Sequence, residues 1–191
     1  VGYEFFKPGS TSEGFLYPDT YILSRDTLAE QLLETLVRNF GLHLTGDLRE
    51  GFARQGLDVY QGVILASIVQ REAVIADEQP VIASVFLNRL NAGMKLDSDP
   101  TVQYAIGFNV AQQTWWTNPL SAQDLQFISP YNTYLNVGLP PGPIASPDIS
   151  ALRAVAYPAK TTYFYFQAQC DGSGLHNFAV TFEEHLANSC P

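Results

Sequence analysis

Positive charge is scarce in this sequence: three lysines and seven arginines face 19 acidic residues, a formal net charge of −9 over 191 residues. Cations so few and so scattered cannot displace counterions from a phosphate backbone, which excludes nucleic acid as a partner class. The same balance disfavours electrostatic capture by an anionic membrane and leaves neutral or weakly charged substrates. No run approaches the ~20 apolar residues that span a bilayer, and no basic start leads into an apolar signal core. The three histidines, His43, His176 and His185, stand at no ligand spacing and HExxH does not occur, so no metal is expected. A GxSxG nucleophile turn and a GxxxxGK(S/T) phosphate loop are also missing.

Cysteine is nearly absent too, with Cys170 and Cys190 alone and no CxxC spacing. Joined in oxidising surroundings, they would contribute on the order of 3 kcal/mol by restricting the unfolded chain. Their number alone leaves a disulfide and two free thiols equally open.

What the chain does hold is a sizeable apolar content, 46%, with 12 Phe and 10 Tyr. That suffices for one core, expected over 26–191, with 1–25 as an N-terminal segment leading into it. Helices are expected from Asp26 to Phe40, capped by Asp26, and from Asp47 to Gln55, ending at Gly56. Further helices are expected from Asp58 to Ile75, Asp77 to Asn91 and Asp148 to Tyr157. Another starts at Ser98-Asp99-Pro100-Thr101, with Asp99 as cap and Pro100 in first place. Periodicity is lost from Phe108 to Pro147. The aromatic run Thr162 to Ala168 reads as a strand that pairs with Asn177 to Val180 across Gly172-Ser173-Gly174, and Thr181 with Glu184 forms a capping box for a last helix. The fold class is therefore α+β: a helix-rich first half, a small antiparallel sheet in the second, and a groove between helix and loops.

One residue breaks the apolar pattern. In a helix, Leu65, Ile68, Val69, Glu72 and Ile75 share a face, which sets a carboxyl group in an apolar stripe. Burial there raises its pKa, as a general acid working near neutral pH requires. The structural alternative is a rim carboxylate paired with Arg71 or Arg89. Asp99 and Asp97 are the nearest second carboxylates, the first competing as a helix cap and the second as a solvated loop residue. In the unperiodic segment Tyr131 and Tyr134 can offer flat faces to sugar rings and Asn132 and Thr133 can bond hydroxyl or acetamido groups, or all four can pack inward.

Glu13-Gly14-Phe15-Leu16-Tyr17-Pro18-Asp19-Thr20-Tyr21, Leu65 to Glu72, Val85 to Leu90, Ser98 to Tyr104, Ser129 to Tyr134, Gly138 to Ile144, His176-Asn177-Phe178 and Thr181 to His185 resemble, in order, the motifs of the endolytic murein transglycosylases, the MltG or YceG-like family. The resemblance covers nearly the whole chain. It implies a lyase that cuts the β-1,4 bond between N-acetylmuramic acid and N-acetylglucosamine within glycan strands and leaves 1,6-anhydro ends. The family's acid/base falls on Glu72; where many relatives have a further Glu this chain has Gln70. Asp99, Thr101, Tyr104, Tyr131, Asn132, Thr133, Tyr134 and Phe178 fall on motif positions expected to line the sugar groove, while Ser146 and Asn177 depart from the pattern. No cofactor is implied. An older pyridoxal-phosphate lyase label for such sequences would need a Schiff-base lysine, and Lys7, Lys95 and Lys160 lie in no phosphate cradle.

Family members are envelope proteins with one membrane helix and a LysM-like region ahead of the catalytic domain, so this chain is expected to be that domain without those parts. The expected location is the outer face of the cytoplasmic membrane, with peptidoglycan strands as substrate and peptidoglycan synthases as partners. Such a location favours a Cys170–Cys190 disulfide. Two alternatives stay open: a hydrolytic muramidase using Glu72 and Asp99, and a peptidoglycan-binding module without turnover.

Overall fold

A computed structural model describes residues 3–7 and 9–190. Among these residues seven α-helices and one two-stranded sheet make an α+β fold: α1 (Ala29–His43), α2 (Gly46–Arg54), α3 (Val59–Glu72), α4 (Gln79–Asn91), α5 (Asp99–Ile106), α6 (Ile149–Ala156), β1 (Tyr165–Ala168), β2 (His176–Ala179) and α7 (Phe182–Ala187). β1 and β2 pair antiparallel, with Phe166 opposite Phe178 and Ala168 opposite His176.

Helix α3 is the centre of the core. Every residue from Gly62 to Val69 is buried, so α3 is apolar all round and not the one-sided stripe expected from its spacing. Asp58 caps it, accepting from the Gln61 N–H while the Gln61 side chain accepts from the Asp58 N–H. The helix stops at Glu72 because Ala73 turns to extended backbone (φ −79°, ψ 119°). Ile75 therefore lies beyond the helix, and Glu72 is its last residue rather than one of its interior turns.

α6 packs on α2, α3 and α4. The α2 contact is so close that a Cβ on Gly51 would lie 2.6 Å from that of Ala156. Asp148 caps α6, accepting from the N–H groups of Ser150 and Ala151. Gln70 accepts from the Asp148 N–H at 3.0 Å and so ties the end of α3 to the start of α6. The segment ahead of α1 joins the same core through Phe5, Phe15 and Tyr17, with Phe5 and Phe15 stacked at 5.3 Å.

Two expected caps are not used. Leu28, not Asp26, precedes α1, its N–H satisfied by the Gln31 side chain. Ser98, not Asp99, is the N-cap of α5; Asp99 is the first helical residue and Pro100 the second. β1 begins at Tyr165 rather than Thr162, because Asn88 and Arg89 of α4 take the carbonyls of Thr161, Tyr163 and Phe164 before the ladder starts. β2 spans His176–Ala179. The capping box of Thr181 and Glu184 opens α7.

Candidate active site

The end of α3, the start of α5, the sheet and α7 enclose a cavity of about 650 Å³. Glu72, Arg89, Asp97, Asp99 and Tyr134 line it together with Tyr165, Phe166, Gln167, His176, Phe182 and His185. Four segments distant in sequence thus meet around one carboxyl group.

Glu72 is partly accessible at this cavity but crowded by protein on its other sides. Desolvation pushes its pKa up to about 7, the Asp99 charge adds to the rise, and the Ser98 hydrogen bond and Arg89 oppose it. The C-terminal end of a helix acts in the same sense, since its exposed carbonyls disfavour an anion. The Ser98 hydroxyl donates to Glu72 Oε1 at 2.5 Å. That bond engages Oε1 and leaves Oε2 as the oxygen available to hold a proton.

The ion-pair alternative for Glu72 is not realised. Arg71 lies over the Trp116 ring, 3.7 Å from its centroid. Arg89, almost fully buried, pairs with Asp97 at 3.0 Å and donates to the carbonyls of Phe164, Lys95 and Leu96. Asp97 is the exposed loop residue expected, and it also pairs: its φ of 49° turns the chain so that its carboxylate meets Arg89.

Ser98 is held by a directional network. Thr101 Oγ1 donates to the Ser98 carbonyl at 2.7 Å, so its contact with Thr133 Oγ1 at 2.9 Å must be filled by the Thr133 hydroxyl hydrogen. Thr133 Oγ1 in turn accepts from the Ser98 N–H at 3.0 Å. Asn132 Nδ2 donates to the carbonyls of Leu125 and Phe127, and its Oδ1 accepts from the Tyr134 N–H. Thr101, Asn132 and Thr133 are each at most 1% exposed. Expected at a sugar groove, they lie beneath the cavity wall and hold Ser98 and Tyr134 in place.

Of the other expected groove residues, Asp99 and Tyr134 reach the cavity together, the Tyr134 hydroxyl donating to Asp99 Oδ1 at 2.6 Å. Burial and that carboxylate raise the Tyr134 pKa, which keeps it a neutral donor. Phe178 stacks on Tyr163 at 5.6 Å and packs against the core. Tyr104 and Tyr131 pair with each other at 4.9 Å on the far side of α5, away from this cavity.

His176 and His185, isolated in sequence, face the cavity together. Glu78 grips His176 twice, at the backbone N–H (3.0 Å) and at Nδ1 (2.8 Å). His185 stacks on Tyr165 at 5.4 Å, and burial, helped by the Arg89 charge, lowers its pKa and keeps it neutral. Among the described residues no cluster of His, Cys, Asp and Glu could hold a metal. Beyond the histidines, a disulfide joins Cys170 and Cys190, Cα atoms 5.5 Å apart, and ties the end of β1 to the tail after α7.

A helix-rich α+β domain with one carboxyl group raised toward neutrality at a cavity wall is the class that fold and site define. The YceG-like family model matches residues 3–190, and the chain belongs to that family. It is similar to the endolytic murein transglycosylase of Bacillus subtilis strain 168, 35% identical over 174 residues that make up 91% of this chain and 46% of that protein. The Streptococcus pneumoniae serotype 2 protein of the same description is 32% identical over 176 residues, 92% of this chain and 31% of its own. A crystal structure of a Listeria monocytogenes protein described as yceG-like superposes with a TM-score of 0.82 at 37% identity, over 92% of this chain and 55% of that one. The chain thus spans about half or less of the length of the curated relatives it matches.

Proposed function

We propose that this domain cleaves peptidoglycan glycan strands internally, as a lytic transglycosylase, at the β-1,4 bond between N-acetylmuramic acid and N-acetylglucosamine. The observation that carries the reading is Glu72: protonated near neutral pH, bonded by Ser98 through one oxygen, and facing a cavity able to take a sugar pair. Two relatives over nine-tenths of the chain bear the corresponding description.

In this reading Glu72 Oε2 gives its proton to the glycosidic oxygen as the bond from C1 to that oxygen breaks. The C6 hydroxyl oxygen of the muramyl ring then bonds to C1, and its proton passes to the Glu72 carboxylate, which restores the acid. No water enters, and the product is a 1,6-anhydro end. One carboxyl group suffices for both transfers. Tyr134, as a neutral donor beside Asp99, and His176, which lines the same cavity, are positioned to bond the strand.

Replacing Glu72 by Gln keeps the Ser98 bond and removes the transferable proton. Cleavage of purified strands by Glu72→Gln is expected to fall by roughly 10²–10⁴-fold with binding retained; equal cleavage sinks the assignment. A second reading, hydrolysis with Asp99 as partner carboxylate, draws on the presence of both acids in one cavity. Mass spectrometry separates the two, because hydrolysis adds one water and leaves a reducing end. No helix among the described residues is long and apolar enough to cross a membrane. Placement of the whole protein at the outer face of the cytoplasmic membrane, alongside peptidoglycan synthases, belongs to the same proposal.

A further inference from the structure

A second cavity, about 510 Å³, lies beyond Arg71 and is walled by Glu13, Tyr104, Trp115, Trp116 and Ile144. It is linked to the first by two elements. Helix α5 carries Asp99 at the Glu72 cavity and Tyr104 at this one, five residues and about 7.5 Å of helix rise apart. Arg71, next in the chain to Glu72, presses on Trp116.

The walls look built for a ligand. Trp115 is 62% exposed, with its ring met edgewise by Phe108 at 5.4 Å, so one indole face is open. Trp116 is pinned by Arg71, and the Gln103 side chain, donating to the Thr117 carbonyl at 2.7 Å, holds the loop that carries both tryptophans. Glu13 reaches the same space because Gly14 adopts φ +86° against Pro143, where a Cβ would lie 2.4 Å from the proline ring. The Glu13 side chain has no hydrogen-bond or ion-pair partner among the described residues, and burial pushes its pKa up. An open indole beside an unpartnered carboxyl group suits a ring with an apolar face and O–H or N–H donors at its edge. A cationic group fits less well, because the Arg71 guanidinium already lies on Trp116.

We propose that this cavity is a second sugar subsite, which takes a neutral N-acetylated hexopyranose further along the strand cut at Glu72, its apolar face on Trp115 and a hydroxyl or amide donor on Glu13. The proposal rests on the glycan-cleaving reading above. It makes the protein sense strand length: a short oligosaccharide fills the Glu72 cavity alone, whereas a longer one reaches past Arg71.

The test uses the Glu72→Gln protein, which leaves strands intact, and amidase-trimmed glycan strands fractionated by length. Adding Trp115→Ala is expected to weaken long strands about three- to tenfold, the value of one aromatic contact, and to leave the tetrasaccharide unchanged. Glu13→Ala is expected to act in the same direction on the same fractions, so the test does not hang on one variant. Long strands bound equally by both variants and the parent overturn the subsite; so does equal loss for tetrasaccharide and long strands, and so does a loss seen only with peptide-bearing strands. A parent that binds no strand of any length removes the functional reading itself, an outcome distinct from all three.

Discussion

In the proposed reaction Glu72 carries the chemistry, and its ionisation makes two predictions, one for activity and one for stability. As an acid it must be protonated in the free protein, so kcat/KM on glycan strands is expected to fall tenfold per pH above about 7. As a folded-state group its pKa lies above the unfolded value of about 4.3, so the native state binds more protons between the two and stability falls as pH rises through that window. Glu72→Gln removes this penalty. Relative to the parent it is expected to gain on the order of 3 kcal/mol in urea unfolding at about pH 8, and nothing of that kind at about pH 4. A pH-independent difference would mean that burial does not raise this carboxyl group. The acid was legible in sequence because charged residues rarely interrupt a run like Leu65 to Ile75. Its hydrogen bond to Ser98 was not, since a contact between residues 26 apart leaves no local pattern.

At the scale of the element, the start of α5 is spent on the site rather than on its own capping. Ser98 occupies the N-cap, but its hydroxyl makes no cap bond and goes to Glu72 instead. Ser98→Ala is expected to push the Glu72 pKa higher still, because the bond it removes favours the charged form, and the alkaline limb of the pH–rate profile should move to higher pH. Thr133→Val leaves the buried Ser98 N–H without its acceptor, a loss of about 1–3 kcal/mol readable in urea unfolding. Where elements touch most closely, Gly51→Ala drives a methyl group into the Ala156 Cβ and carbonyl and should cost about 1–3 kcal/mol by the same measurement. Sequence periodicity located α1 to α6 within a few residues. It misjudged the two caps because Asp26 and Asp99 are good cap types, while a local bond to Gln31 marks the start of α1 and long-range bonds of Ser98 to Glu72 and of Tyr134 to Asp99 engage the start of α5.

Across the whole molecule, part of the cavity lining at Glu72 depends on a short segment closed at both ends. β2 and α7, which bring His176, Phe182 and His185 to the cavity, lie between Cys170 and Cys190. Without the bond the six-residue α7 is held by its packing on β1 and β2, where Tyr165 meets Phe182 and His185. Cys170→Ser with Cys190→Ser is expected to cost on the order of 3 kcal/mol and to speed amide exchange across α7 before the rest of the fold. Uniform exchange across the chain would show that the bond staples the global fold instead.

Sequence alone determined the helix-rich order of elements, the Thr181–Glu184 capping box, the hairpin near residues 165–179 and the carboxyl group at position 72, because each follows from spacing, turn chemistry or a charge out of place within a few residues. Tertiary structure alone decided which side chains share its cavity. It buried Thr101, Asn132 and Thr133 beneath the wall, carried Tyr104 and Tyr131 to the far side of α5, and brought Ser98, Arg89, His176 and His185 in. Those assignments turn on close packing and on satisfying each buried donor and acceptor, and both depend on contacts between residues far apart in the chain.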